Sequence, residues 1–261
     1  MASSDTLSSH GPSADDLAAA LAAGAIRAEF QPKVALATGA LTGVEALARW
    51  TDATHGIVPP AVFIPIAEQS GLIGPLTLTV LRQALEACAA LRQHHPQATV
   101  AVNLSPVVLD DAALPARIAA MLIEAGLEPA ALIAEVTEGR PIAPGTMPAA
   151  VLGELRALGI GCAIDDFGTG HANLESLLHL PLTELKIDRS FIARAADRPE
   201  AWTIVHATIR LARELRLRVV AEGIETHEIE QRLREAGCEQ GQGFRYGPPM
   251  PRADLLARWG A

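Results

Sequence analysis

Cysteine is scarce. Cys88, Cys162 and Cys238 stand far apart in 261 residues, odd in number and without a CxxC pair. That excludes a disulfide framework and a thiolate zinc site, and reads as buried free thiols in a reducing, cytoplasmic compartment. The eight histidines include no HExxH arrangement, so the zinc-hydrolase helix is excluded as well. His94-His95, just before Pro96, reads as a solvated turn. Positive charge is short too: 21 Lys and Arg face 30 Asp and Glu, a net charge of -9. Gripping a nucleic-acid polymer needs clustered cations that neutralise phosphate, so that class of partner is not expected. A small anionic ligand stays open if metal ions or a few Arg offset its charge. Apolar runs are broken well before the ~20 residues that span a bilayer. The N-terminus has no basic start followed by an apolar core, so the expectation is a soluble chain with no membrane partner.

What is present is a large apolar complement, 49% of residues, enough for a sizeable core. Residues 1–13, rich in Ser, Gly and other small or polar types, read as a disordered leader, and 14–261 as one domain. Ser13 with Asp16 offers a capping pair for a helix that Gly24 stops. Strands are expected at 26–36 and 41–49, with Gln31-Pro32 interrupting the first and Thr38-Gly39 turning the pair into a hairpin. From there helical spacing alternates with short apolar runs. Helices are expected at 61–69, 76–93, 110–125, 147–158, 173–178, 200–215, 227–236 and 252–259, and strands at 99–104, 132–136, 161–165, 184–187, 218–221 and 240–244. Eight strands, most separated by a helix, predict an α/β fold: a (β/α)8 TIM-like barrel with an antiparallel first strand. An open doubly wound sheet is the alternative. It needs GxGxxG after its first strand, and the stretch from Gly241 to Gly247 misses both spacing and place.

Several apolar runs finish in oxygen-bearing side chains. Strand ends read in order give Glu45, Asn103, Glu135, Asp165 with Asp166, Lys186, Glu222 and Gln242. Singly, each has a plain explanation as a cap, a turn residue or a loop ion pair. Together, five carboxylates (Glu45, Glu135, Asp165, Asp166 and Glu222) at one barrel mouth repel unless divalent cations lie among them. Hard oxygen donors favour Mg2+ or Mn2+ over zinc. The adjacent Asp165 and Asp166 can serve two ions with the first carboxylate bridging, which suits in-line displacement at phosphorus. The class of reaction is then phosphodiester hydrolysis, with Lys186 orienting water and Glu222 taking its proton.

The order of motifs resembles the EAL-domain phosphodiesterases that cleave the bacterial messenger cyclic di-GMP. These are Phe30-Gln31-Pro32, Glu45-Ala46-Leu47, Phe63-Ile64-Pro65, Asn103-Leu104-Ser105, Glu135-Val136-Thr137-Glu138, Asp165-Asp166-Phe167-Gly168-Thr169-Gly170, Lys186-Ile187-Asp188, Ala221-Glu222-Gly223-Ile224-Glu225 and Gln242-Gly243. The resemblance implies hydrolysis of cyclic di-GMP to pGpG with two Mg2+ or Mn2+ ions, in a homodimer. It implies one ion held by Glu45, Asn103, Glu135 and Asp165, and another by Asp165, Asp166 and Glu222, with Glu222 as base and Lys186 on the catalytic water. It further implies that Glu138 steadies the loop after the Asp pair, and that Gln31, Leu47, Arg49, Glu225 and Gln242 line the nucleotide site. Arg49 suits phosphate because its planar fork makes paired charge-assisted hydrogen bonds. A module that binds the messenger without cleaving it is the rival reading. His171-Ala172-Asn173, Arg245 and Pro248 depart from the more usual residues, which bears on loop ordering and guanine-side contacts.

Overall fold

The computed structural model describes residues 11–137, 142–168 and 174–260. The first helix, α1 (Ala14–Ala22), opens on the expected capping box: Ser13 and Asp16 satisfy each other's backbone N–H. Of the expected leader, only residues 11–13 fall within the described part. Next come β1 (Ile26–Ala35) and β2 (Leu41–Asp52), paired antiparallel from Ile26↔Trp50 to Val34↔Leu41. The ladder runs through Gln31 and Pro32, and the irregularity falls one residue later, between Lys33 and Val34. Phe30 sends its N–H away from β2, to the Met250 carbonyl at 2.8 Å. Pro32, two residues on, turns its missing N–H to that same side and costs the β2 ladder nothing.

The short strand β3 (Gly56–Val58) folds back on the end of β2, an element the sequence reading lacked. Helices α2 (Pro60–Ser70) and α3 (Ile73–Leu91) lead to β4 (Thr99–Asn103), α4 (Leu114–Glu124) to β5 (Leu132–Thr137), and α5 (Met147–Ala157) to β6 (Gly161–Phe167). Then follow α6 (Leu174–His179), β7 (Glu184–Ile187), α7 (Arg189–Ala195), α8 (Pro199–Glu214), β8 (Arg218–Ala221), α9 (His227–Glu235), β9 (Gln240–Gln242) and α10 (Arg252–Trp259). The expected 110–125 helix divides into a 3-10 turn, Val108–Asp110, and α4. The unexpected α7 is one short run, started by the Asp188 carboxylate accepting from the Ser190 N–H at 2.9 Å.

The sheet order is β1-β9-β8-β7-β6-β5-β4-β2-β3, and β1 also pairs with β2. Eight strands therefore close on themselves, with β3 outside the ring, as a TIM-like barrel. Every pairing from β2 through β4 to β9 is parallel; β1 runs antiparallel to both its neighbours. Apolar residues on the outward strand faces pack with the helices in two large clusters, anchored by residues such as Trp50, Phe63 and Leu85 on one side and Ile187, Val205 and Val219 on the other. Inside the barrel the apolar filling is small: Ala101, Ile133 and Ala163 form their own cluster. That leaves room for polar side chains in a layer most barrels fill with bulky branched residues.

The three cysteines are free and buried, and burial pushes their thiols up to about 11 for Cys88 and about 12 for Cys162 and Cys238. His95 is not a solvated turn residue. It is half-buried and its Nε2 lies 2.6 Å from the Trp259 carbonyl, fastening the end of α10. Among the described residues no helix is long and apolar enough to cross a membrane.

Candidate active site at the barrel mouth

Alternation along a strand sends residues i and i+2 to one face. On β2 that places Gly43, Glu45, Leu47 and Arg49 on the inward side, while Val44, Ala46 and Trp50 join the outer core. Gly43 is needed there because a Cβ would lie 2.5 Å from the Thr99 carbonyl oxygen. The same rule puts Asn103 above Ala101, Glu135 above Ile133, Asp165 above Ala163 and Lys186 above Glu184.

Alternation alone would send Asp166 away from Asp165. Its backbone instead takes φ 56, and the β6–β7 register slips between Ile164 and Phe167. The left-handed residue re-aims the second carboxylate, a strained conformation of the kind held at functional sites. As a result Asp165, Asp166 and Glu222 each offer an oxygen within 4.8 Å of the others, and so do Glu45, Glu135 and Asp165. The two trios share Asp165.

Lys186 lies at their centre, fully buried. Its Nζ is 2.6 Å from Glu222 Oε1, 3.1 Å from Glu135 Oε2 and from Asp165 Oδ1, and 3.2 Å from Glu45 Oε2. Its desolvation works against the charged form, but Glu135, Glu222, Glu45 and Asp165 outweigh that and hold the ammonium well above the usual lysine range. The carboxylates divide by surroundings. Burial raises Glu45, yet Lys186, the Gln242 amide and Lys33 together bring it down to about 2. Burial, then Asp165 and Glu45, push Glu222 up to about 8 against the pull of Lys186. Desolvation and the Asp165 charge bring Asp166 up to about 6. Glu135 is raised well above the carboxylate range by complete burial, and Asp165 is raised by the same cause.

Above the cluster opens a cavity of about 470 Å³ lined by Gln31, Glu45, Leu47, Arg49, Asp165, Glu222, Glu225 and Gln242 from the expected set. Gln242 reaches Glu45 Oε2 at 2.7 Å and Gln31 Oε1 at 2.9 Å through its Nε2, binding the last strand to the first two. Asn103 donates to Glu45 Oε1 at 2.9 Å and also lines a second, apolar cavity of about 280 Å³ next to the first. Leu47 and Arg49 line both. Arg49 is not free for an anion alone, because its Nε pairs with Glu29 Oε2 at 2.8 Å and its Nη1 donates to the Ala48 carbonyl. Glu138, like His171, Ala172 and Asn173, lies outside the described residues.

The same cavity takes in Arg189 and Phe244, which sequence reasoning did not select. Arg245 turns outward instead, pairing with Glu230 at 2.8 Å, where Tyr246 also donates. Beneath the cluster, Lys33 and Glu184 are completely buried and pair at 3.4 Å. The signal for Lys33 was legible: Arg27, Glu29, Gln31 and Lys33 put every polar side chain of β1 on one face. Glu184 sits two residues before Lys186, on the same face.

Among the described residues the donors are hard oxygens only, several are buried, and Glu135 Oε1 has no hydrogen-bond partner. Such a set fits a hard divalent cation and does not fit a softer metal. A closed (β/α)8 barrel with an acidic, cation-suited mouth at the C-terminal strand ends defines the class of protein. The family follows from comparison: the EAL domain model matches residues 14–249, and the chain belongs to the EAL-domain family. It is 41% identical over 246 residues to the bifunctional diguanylate cyclase/cyclic di-GMP phosphodiesterase MucR of Pseudomonas aeruginosa, covering 93% of this chain and 36% of that protein. It is 35% identical to the cyclic di-GMP phosphodiesterase RocR of the same organism, covering 94% of this chain and 62% of RocR. The solved MucR phosphodiesterase in complex with c-di-GMP superposes with a TM-score of 0.86 at 40% identity, covering 93% of this chain and 98% of that one. The chain spans between 31% and 38% of the first three curated relatives it matches.

Proposed function

We propose that this chain, as one domain over 14–261, is a cation-dependent phosphodiesterase that opens cyclic di-GMP to linear pGpG in the bacterial cytoplasm. The observation that carries this reading is the pair of carboxylate trios sharing Asp165 directly under a mouth cavity of nucleotide-binding size. Glu45, Asn103, Glu135 and Asp165 would hold one Mg2+ or Mn2+; Asp165, Asp166 and Glu222 would hold the other. Bound there, the ions would offset charge on the phosphoryl oxygens and acidify an attacking water.

The chain's own groups do the rest. Lys186 donates to the water and fixes its line of approach. Glu222, kept ionised by the bound cations, accepts the proton the water loses. The water oxygen joins phosphorus, the bond from phosphorus to the ribose 3′ oxygen breaks, and that oxygen takes a proton from solvent while Glu222 gives its own back to solvent. Arg49 supports a phosphate from the rim with the part of its guanidinium that Glu29 leaves open. Leu47 gives an apolar wall, and Gln31, Gln242 and Glu225 offer hydrogen bonds to the nucleotide. Glu138 keeps the loop-steadying role that the resemblance gives it. A homodimer belongs to the same reading, supported by Leu174 and Leu178, exposed a turn apart on α6 just after the Asp-pair loop.

The test is chromatographic detection of pGpG from cyclic di-GMP with Mg2+, with Mn2+ and with EDTA. Turnover that needs a divalent ion is expected. Tight cyclic di-GMP binding without any pGpG would replace the enzyme with a binding module.

A further inference from the structure

Five side chains of alternating charge run down the inside of the barrel from mouth to floor. Lys186 Nζ meets Glu135 Oε2 at 3.1 Å; Glu135 Oε1 faces Lys33 Nζ at 3.9 Å; Lys33 Nζ holds Glu184 Oε1 at 3.4 Å; and Glu184 Oε2 faces Arg218 Nε at 3.5 Å. The first four are completely buried, and Arg218 closes the string at the half-exposed floor. The apolar residues clustered inside the barrel, Ala101, Ile133 and Ala163, have no side-chain donor to offer a carboxylate. Among the described residues Glu135 Oε1 and Glu184 Oε2 have no hydrogen bond, and a cation is what each faces.

We propose that Lys33, held in place by Glu184, is a positioning residue for Glu135: a built-in counter-ion below the acidic cluster that keeps one Glu135 oxygen down and the other up toward the cation-binding groups. Lys186 alone cannot do this, because four carboxylates share it. Lys33 has two, and its position is fixed from below by Glu184 rather than by the cluster it serves. Outer groups that orient a ligand typically alter metal affinity 10- to 100-fold when removed. The inference rests on the proposed cation site, not on the identity of the nucleotide.

The experiment is isothermal titration of the whole chain with Mn2+, together with melting curves, for wild type, Lys33→Met and the double variant Lys33→Met/Glu184→Met. Removing Lys33 also relieves its repulsion of an incoming cation, which would tighten binding. The double variant removes one charge of each sign, so that opposing effect is largely cancelled and orientation is what remains. Replacing a buried ion pair by apolar groups is often neutral or stabilising, so the double variant should recover the melting temperature that Lys33→Met loses. The expected result is Mn2+ binding at least about tenfold weaker than wild type in the double variant despite that recovery. A double variant that melts like wild type and binds Mn2+ with wild-type affinity overturns the proposal and leaves the pair a packing device. Because binding is read without nucleotide, a wild type that binds Mn2+ but yields no pGpG would sink the enzymatic reading alone. A wild type that binds no Mn2+ sinks both.

Discussion

At the scale of the residue, one cluster holds acids of opposite character. Glu45 accepts from Asn103, Gln242 and Lys186, and stays ionised down to about 2. Glu222 has Lys186 but no amide donor among the described partners, and rises to about 8. Pairs of acids pushed apart in this way divide the roles of charge-holder and proton acceptor. Glu222→Gln keeps the shape of the side chain and removes the base. We expect pGpG formation to fall about 10²- to 10⁴-fold, the usual worth of a general base, while calorimetry still detects cyclic di-GMP binding. Near-wild-type turnover would take the proton-acceptor role away from Glu222. The sequence picked out both acids from their places at strand ends. It also put the base at Glu222, but the contrast between the two acids depends on Asn103, Gln242 and Lys186, contributed by three other strands.

At the scale of the element, the barrel closes where the chain's last strand meets its first. Gly243, at the end of that last strand, seats it on the segment after β8: the Ile224 N–H donates to the Gln242 carbonyl at 3.0 Å, the Arg245 N–H donates to the Ile224 carbonyl at 3.1 Å, and a Cβ at 243 would lie 2.2 Å from the Ile224 oxygen. The obstacle is backbone, which cannot turn aside as a side chain would. Gly243→Ala should therefore destabilise by about 1–3 kcal/mol, as overpacking does, seen as a lower urea midpoint at unchanged slope. Because Gln242 on the same strand end reaches Glu45 and Gln31, the variant should also raise KM. An unchanged midpoint would mean that the β8–β9 junction gives way more easily than its geometry implies. Helix α10 and the α3, α8 and α9 spans were legible from apolar spacing. The strand β3 and the helix α7 were not, since each is too short to show a period and depends on a neighbour or a cap for its stability.

At the scale of the molecule, the charge inside the barrel links stability to pH and to cations. Glu222 moves from an ordinary 4.5 to about 8 on folding, and Asp166 from 3.8 to about 6, both mainly through burial. A carboxyl raised by folding binds its proton more tightly in the native state, so its contribution is full below the unfolded value and is lost as pH rises through the folded one. Between about pH 4.5 and 8 these two groups therefore make the cation-free protein progressively less stable. Glu45, lowered to about 2, acts in the opposite sense only below about 4.5. Cations bind the ionised carboxylates and compete with protons. Calorimetric melts should show the EDTA-treated protein losing stability from pH 5 to 8, with the gain on adding Mg2+ growing over that range. At a hundred times its dissociation constant one bound ion adds about 2.7 kcal/mol. A gain from Mg2+ that is flat with pH would contradict this account.

The sequence by itself determined the helix–strand order, the count of barrel strands, the antiparallel start, and the set of oxygen-bearing strand ends, because periodicity and local signals are written in neighbouring residues. Only the tertiary structure decided that the φ 56 backbone of Asp166 turns it toward Glu222, and that Arg49 pairs with Glu29. It alone also threaded Lys33 and Glu184, 151 residues apart in the chain, into one line of charge beneath Glu135. The physical reason is closure: the stagger of strands around the ring sets which residues of distant strands stand at the same depth. That level is a property of the closed sheet and not of any one strand in it.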